Sequence, residues 1–205
     1  MNLTLKTPLK DEDLEKVNVG DIVYLNGVIV TARDAAHERF LKHGRELPIN
    51  LKGLPIFHAG PIVKEAEGKW RIVSIGPTTS MRMESLEYDF IERSGVKMII
   101  GKGGMGRRTA EACKRFKAVH AIFPGGCAVV AAERVKRVLG VEWLDLGVPE
   151  ALWIMDVENF GPLIVSIDTK GNNLFEERLN AINGKKVELL KNLDKLLIQG
   201  QQNNI

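Results

Sequence analysis

Between Val96 and Leu139 the chain alternates short apolar runs with helix-forming stretches: VKMII, the glycine-rich GKGGMG, RRTAEACKRF, then AVHAIF, PGG and CAVVAAERVKRVL. Short apolar runs bounded by glycine or proline are the mark of strands buried on both faces, and strands that alternate with helices imply an α/β arrangement. Upstream, DIVYLNGVIVT sets two β-rich runs around Asn26-Gly27, the dipeptide that best tolerates positive φ, which predicts a hairpin. A short helix follows in DAAHERFLKHG, with an acidic start at Asp34 and Gly44 placed to stop it. LPIFHAGPIV and KWRIVSIGPTT read as strands. From Ser80 onward Met83, Leu86 and Phe90 recur at helical spacing, with Glu84, Glu87 and Glu92 on the other faces. WIMDVENF and PLIVSID, joined by Gly161-Pro162, predict a further strand pair. In the C-terminal helix Leu189, Leu190, Leu193, Leu196 and Leu197 form an apolar stripe.

A chain of 205 residues is long enough for one sizeable core, so residues 1–198 are read as a single domain and the polar QGQQNNI, 199–205, as a frayed tail. The formal charge of +3, from 29 basic and 26 acidic residues, is small and scattered, which argues against a nucleic-acid partner. The N-terminal MNLTLKTPLKDEDLEKV has no apolar signal core, and no run approaches the roughly 20 apolar residues that span a bilayer. A cytoplasmic protein is expected. Its two cysteines, Cys113 and Cys127, form no C-x-x-C pair and are too few to hold an iron–sulfur cluster, which takes three or four thiolates.

Three segments fall between an expected strand and an expected helix, the place where open α/β sheets present ligands: TARDAAH, GPTTSMRM and GKGGMG. A helix start suits an anion, and each segment also carries a cation: Arg33, Arg82 and Lys102. If they converge, two guanidinium forks and an ammonium fit a small dicarboxylate better than a lone phosphate. Thr79 or Ser80 is placed to cap the helix that follows, which leaves Thr78 without a structural task. Gly101, Gly103 and Gly106 match G-x-G-x-x-G, yet no acid stands about 20 residues on to bond a ribose, and the Walker spacing fails. An anion other than a nucleotide remains open for that loop. His37 and His58 are read first as hydrogen-bonded structural residues and Cys127 as a buried thiol.

The three loops in this order, together with GDIVYLNGVIVTARDAAH, GLPIFHAGPIV, PGGCA and PEALW, resemble the beta subunit or C-terminal domain of class I fumarases, over nearly all of the chain before the C-terminal helix. The resemblance implies a swivelling β/β/α domain with a mixed sheet and flanking helices. It also implies an alpha-subunit partner that holds a [4Fe–4S] cluster, in a hetero-oligomer of two alpha and two beta subunits, with no cluster on this chain. By the same resemblance Thr78 is the catalytic base, and Arg33, Arg82 and Lys102 bind the substrate's carboxylates. The implied reaction is reversible hydration of fumarate to (S)-malate, on the complete enzyme alone. The first alternative is dehydration of L(+)-tartrate to oxaloacetate. A non-catalytic anion-binding or assembly module is the alternative from another class.

Overall fold

The computed structural model describes residues 1–202, with the side chains at 187, 188 and 191–202 left aside. Its elements run β1 (Asn2–Lys6), α1 (Asp11–Leu14), β2 (Ile22–Thr31), α2 (Asp34–Leu41), β3 (Pro55–Phe57), β4 (Ala59–Ala66) and β5 (Lys69–Pro77). A 3-10 turn, Ser80–Met83, leads into α3 (Glu84–Ser94), followed by β6 (Met98–Gly101), α4 (Arg107–Phe116), β7 (Val119–Ile122) and α5 (Ala128–Glu133). The chain ends with β8 (Val135–Glu142), β9 (Leu152–Ile167) and α6 (Leu174–Gln202). Two compact units result, Met1–Asn173 and the helical segment from Leu174 onward.

The first unit is a mixed α/β body. Seven strands form one sheet in the order β1-β2-β3-β6-β7-β9-β8, and a further pairing of β2 with β9 closes it into a barrel. The β1–β2, β2–β3, β3–β6 and β6–β7 pairs are parallel, while β9 is antiparallel to β2, β7 and β8. A separate antiparallel ribbon joins β4 to β5. Because successive strand residues point to opposite faces, neighbours divide between two cores. Ile29, Phe57 and Ile100 belong to one cluster, with Trp153, Phe160 and residues of β5 and α5. Val30, Ile56 and Ile99 belong to the other, beneath Ala36, Phe90 and Cys113 of α2, α3 and α4.

Three expectations are corrected. Asn26-Gly27 makes no hairpin: β2 runs straight through it, and the register with β9 shifts between Leu25 and Gly27. Gly27 takes φ +105°, and a Cβ there would stand 2.6 Å from Thr7 Oγ1, so the glycine serves close packing opposite a bulge in β9 rather than a turn. Gly161-Pro162 likewise does not join two strands, because β9 is one strand of 16 residues. The stretch after Glu133 is the strand β8 and not more helix; its mostly half-exposed pattern suits the edge of the sheet, where β-branched residues still pair. Leu189 and Leu190 of the expected C-terminal stripe are exposed, whereas the side chains of Leu193, Leu196 and Leu197 lie outside the described residues, as do residues 203–205 of the expected tail. Among the described residues no helix is long and apolar enough to cross a membrane.

The end of β2 is fastened to β9 by one hydroxyl. Thr31 Oγ1 donates to Ala151 O at 2.9 Å and accepts from Trp153 N–H at 2.8 Å, with no exposure to water. Replacing Thr31 by the isosteric valine leaves both backbone groups unpaired, and is expected to lower stability by about 1–3 kcal/mol. Urea denaturation of the full chain, read as a fall in midpoint, checks it.

Candidate functional site

Arg33 directly precedes α2, where the chain leaves β2. Its Nη2 pairs with Glu150 Oε1 at 3.0 Å, and its Nη1 lies where a Cβ on Gly60 would come within 2.6 Å. The buried Nε–H has no hydrogen-bond partner. Glu150, from the PEALW segment, also accepts the Ala35 N–H through Oε2 at 3.0 Å, so a carboxylate of this chain already occupies the start of α2.

Gly60 of β4 pairs with Gly76 of β5, which carries the backbone from Arg33 towards Thr78. Thr78 is tied on both sides: its N–H donates to His58 O at 2.6 Å, and its carbonyl accepts the Lys102 N–H at 2.9 Å. Thr79 forms a bridge with Lys102, whose carbonyl in turn accepts the Ser80 N–H at 3.0 Å. The GPTTSMRM and GKGGMG loops are thus stitched together by backbone hydrogen bonds. Lys102 is exposed and has no ion-pair partner among the described residues; its Cδ lies where a Cβ on Gly125 would come within 3.4 Å. Arg82, in the 3-10 turn, pairs through Nη2 with Asp34 Oδ2 at 3.0 Å, and its side chain is 52% exposed. Arg33, Thr78, Arg82 and Lys102 therefore sit in one neighbourhood at the ends of β2, β5 and β6.

Three sequence readings need revision here. None of the three hydroxyls at 78–80 caps a helix: Thr79 stands at the cap position without a side-chain bond, and Ser80 Oγ turns inward to His58 Nδ1 at 3.1 Å. The GKGGMG loop does not offer a free helix start to an anion. Glu84 already fills it, accepting the Gly106 N–H at 2.7 Å, the Thr109 hydroxyl at 2.7 Å and the Thr109 N–H at 3.3 Å. An internal carboxylate thus does what a bound phosphate would do. Glu87, read as a solvent-facing position, is fully buried against His37 and His58. Helical periodicity points charges outward by default, and the partners that draw this one inward lie on other elements.

An iron–sulfur cluster does not fit this chain's donors. Cys113 is buried in α4, where burial above all pushes its thiol pKa well up, and Cys127 stands at the start of α5. Two separated thiols cannot supply the ligands such a cluster takes.

Comparison with known proteins places the chain. A family described as Fumarase C-terminus matches residues 1–178. The chain is 56% identical over 177 residues to the L(+)-tartrate dehydratase subunit beta of Escherichia coli (strain K12), covering 86% of this chain and 88% of that protein. It is 47% identical to a putative L(+)-tartrate dehydratase subunit beta of Methanocaldococcus jannaschii, covering 90% and 95%. A putative fumarate hydratase class I of Geobacillus stearothermophilus is 38% identical, with 85% of this chain matched to 34% of that one.

Gly101 tests the packing behind the loops. A Cβ there would stand 1.9 Å from Ser80 Oγ and 3.3 Å from His58 Cβ. Gly101→Ala is therefore expected to displace Ser80 and to cost about 1–3 kcal/mol of stability, as overpacked substitutions do, which thermal denaturation would register as a lower Tm. With sheet, loops and sequence similarity in agreement, the chain belongs to the Fumarase C-terminus family.

Proposed function

We propose that this chain is the beta subunit of a hydro-lyase that removes water from L(+)-tartrate, and that it works with an alpha subunit carrying the [4Fe–4S] cluster. The observation that carries the reaction class is the junction of Thr78 with Arg33, Arg82 and Lys102 on one partly exposed face. Fumarate, placed first by the sequence reading, becomes the second choice: the tartrate dehydratase subunits are the more similar, and their lengths match this chain's almost end to end.

The proposed roles follow from the chemistry of each group. A 2-hydroxy dicarboxylate presents two anionic ends, and the Arg82 fork and the Lys102 ammonium are exposed to meet them. Arg33, held by Glu150, supplies a fixed positive charge at the start of α2. When the proton on the carbon beside the leaving hydroxyl departs, negative charge grows on the adjacent carboxylate. Cations already in place stabilise that charge more than they stabilise the bound substrate. Thr78 takes the proton in this scheme. A threonine hydroxyl is a weak base at its ordinary acidity, so it needs an activating group, which we assign to the partner subunit because Thr78 is only half-buried.

The deciding experiment is co-expression with the larger subunit, anaerobic cluster reconstitution, and comparison of L(+)-tartrate, D(−)-tartrate, malate and fumarate. Turnover of L(+)-tartrate with the highest kcat/KM is expected; preference for fumarate or malate would return the chain to the fumarase reading. In that enzyme Arg82→Ala should lose at least ~100-fold in kcat/KM, the scale of one missing electrostatic contact in the transition state. Near-normal kinetics with an intact cluster would remove Arg82 from the site.

A further inference from the structure

His37, His58 and Glu87 have no access to water, and the scheme above gives them no role. They come from three elements: His37 from α2, Glu87 from α3, and His58 from the junction of β3 and β4. Glu87 Oε2 lies 3.4 Å from His37 Nε2 and 3.3 Å from His58 Nε2. Neither contact has hydrogen-bond alignment, and both Glu87 oxygens and the two Nε2 atoms are buried without a hydrogen-bond partner. A buried carboxylate is costly unless a positive charge compensates it. The groups against this one are the two imidazoles.

Donor chemistry says which imidazole carries the charge. The Arg33 carbonyl only accepts, so His37 Nδ1, 2.8 Å away, bears a hydrogen. A neutral His37 would then turn a lone pair on Nε2 towards the carboxylate. Facing an ionised Glu87, a His37 that donates from Nδ1 carries a hydrogen on Nε2 as well. His58 can stay neutral, because the Ser80 hydroxyl is able to donate to its Nδ1 and leave the N–H on Nε2 facing Glu87. Burial, the largest influence on His58, lowers its pKa; burial would raise that of Glu87, but the facing imidazoles, His58 ahead of His37, outweigh it and hold the carboxyl well below the ordinary range. One imidazolium, one carboxylate and one neutral imidazole leave the cluster without net charge.

The cluster touches each arm of the face above it. His37 holds the Arg33 carbonyl, the His58 carbonyl takes the Thr78 N–H, and the His58 ring meets Ser80, whose own N–H is bonded to Lys102 O. We propose that Glu87 is a positioning residue for Thr78 and Arg33, acting through an imidazolium at His37 and a neutral link at His58. The role in turnover rests on the functional reading above; the charge arrangement does not.

Side-chain 15N spectra of the full chain at neutral pH are expected to show His37 protonated on both nitrogens and His58 on Nε2 alone. In Glu87→Gln the second proton of His37 is lost. In the assembled enzyme that variant lowers kcat by about 100-fold, the effect of a misplacement of about 1 Å, while KM moves less than about threefold, because Arg82 and Lys102 keep their binding contacts. Should Glu87→Gln fail to fold, Ser80→Ala keeps every charge and cuts only the link to His58. It is expected to leave His37 doubly protonated and to lower kcat by about tenfold. A neutral His37 in the native chain, a stoichiometric metal ion in its place, or unchanged kcat per folded enzyme in the variants would overturn the proposal. Expected spectra without any lyase activity in the native assembly would instead sink the functional reading, and the role of Glu87 in turnover with it.

Discussion

Strand β9 pairs with β8 and β2 along its first half and with β2 and β7 along its second, and its pairing with β2 converts an open sheet into a closed one. Closure fixes where the chain can present side chains. Once β2, β3, β6 and β7 run parallel in one wall, their following segments all emerge at the same end. The loops after β2 and β6, and the end of the β4–β5 ribbon, are brought together there by the barrel rather than by any attraction among their cations. Like charges would sooner repel; the neutral backbone bonds between Thr78, Ser80 and Lys102 hold them.

That end of the barrel wall is also prepared electrostatically by acids of this chain. Glu150 fills the start of α2 and Glu84 that of α4, so two of the three helix starts that the sequence offers to an anion are already satisfied. What stays open for a ligand is side-chain charge. This differs from a phosphate loop, in which the backbone itself is the binding group, and it fits the failure of GKGGMG to meet either nucleotide pattern. Glycine at position 101 serves the close approach of Ser80 and not a pyrophosphate.

Much of this was legible in the sequence. The loops at TARDAAH, GPTTSMRM and GKGGMG are punctuated by glycine, proline and helix starts, signals that act over a few residues and that survive folding. The corrections at Asn26-Gly27 and Gly161-Pro162 have a common cause. Both dipeptides permit a turn, but strand pairing keeps the chain extended, so β2 and β9 continue through them, with an irregularity in their mutual register at each. Glu84 and Glu87 were read as outward-facing because a helix's own period cannot reveal an acceptor for Gly106 N–H in the next loop, or two imidazoles 50 and 29 residues earlier in the chain. Long-range polar satisfaction is a property of the fold and leaves little trace in local pattern.

The two arginines differ in what a ligand would have to displace. Arg82, about half exposed, pairs with Asp34, whose Oδ2 is buried and has no hydrogen bond besides this ion pair. A carboxylate that took the guanidinium with both oxygens would draw it away from one partly buried acid. Arg33 is about one-fifth exposed and shares Glu150 with the Ala35 N–H, so pulling it free would strand a carboxylate, a guanidinium and a helix N–H at once. In the proposed site the three cations therefore start from different states: Lys102 has no ion-pair partner among the described residues, Arg82 has one acid to give up, and Arg33 is tied into a shared network. An anion taken by Lys102 and Arg82 would leave the Arg33–Glu150 network intact.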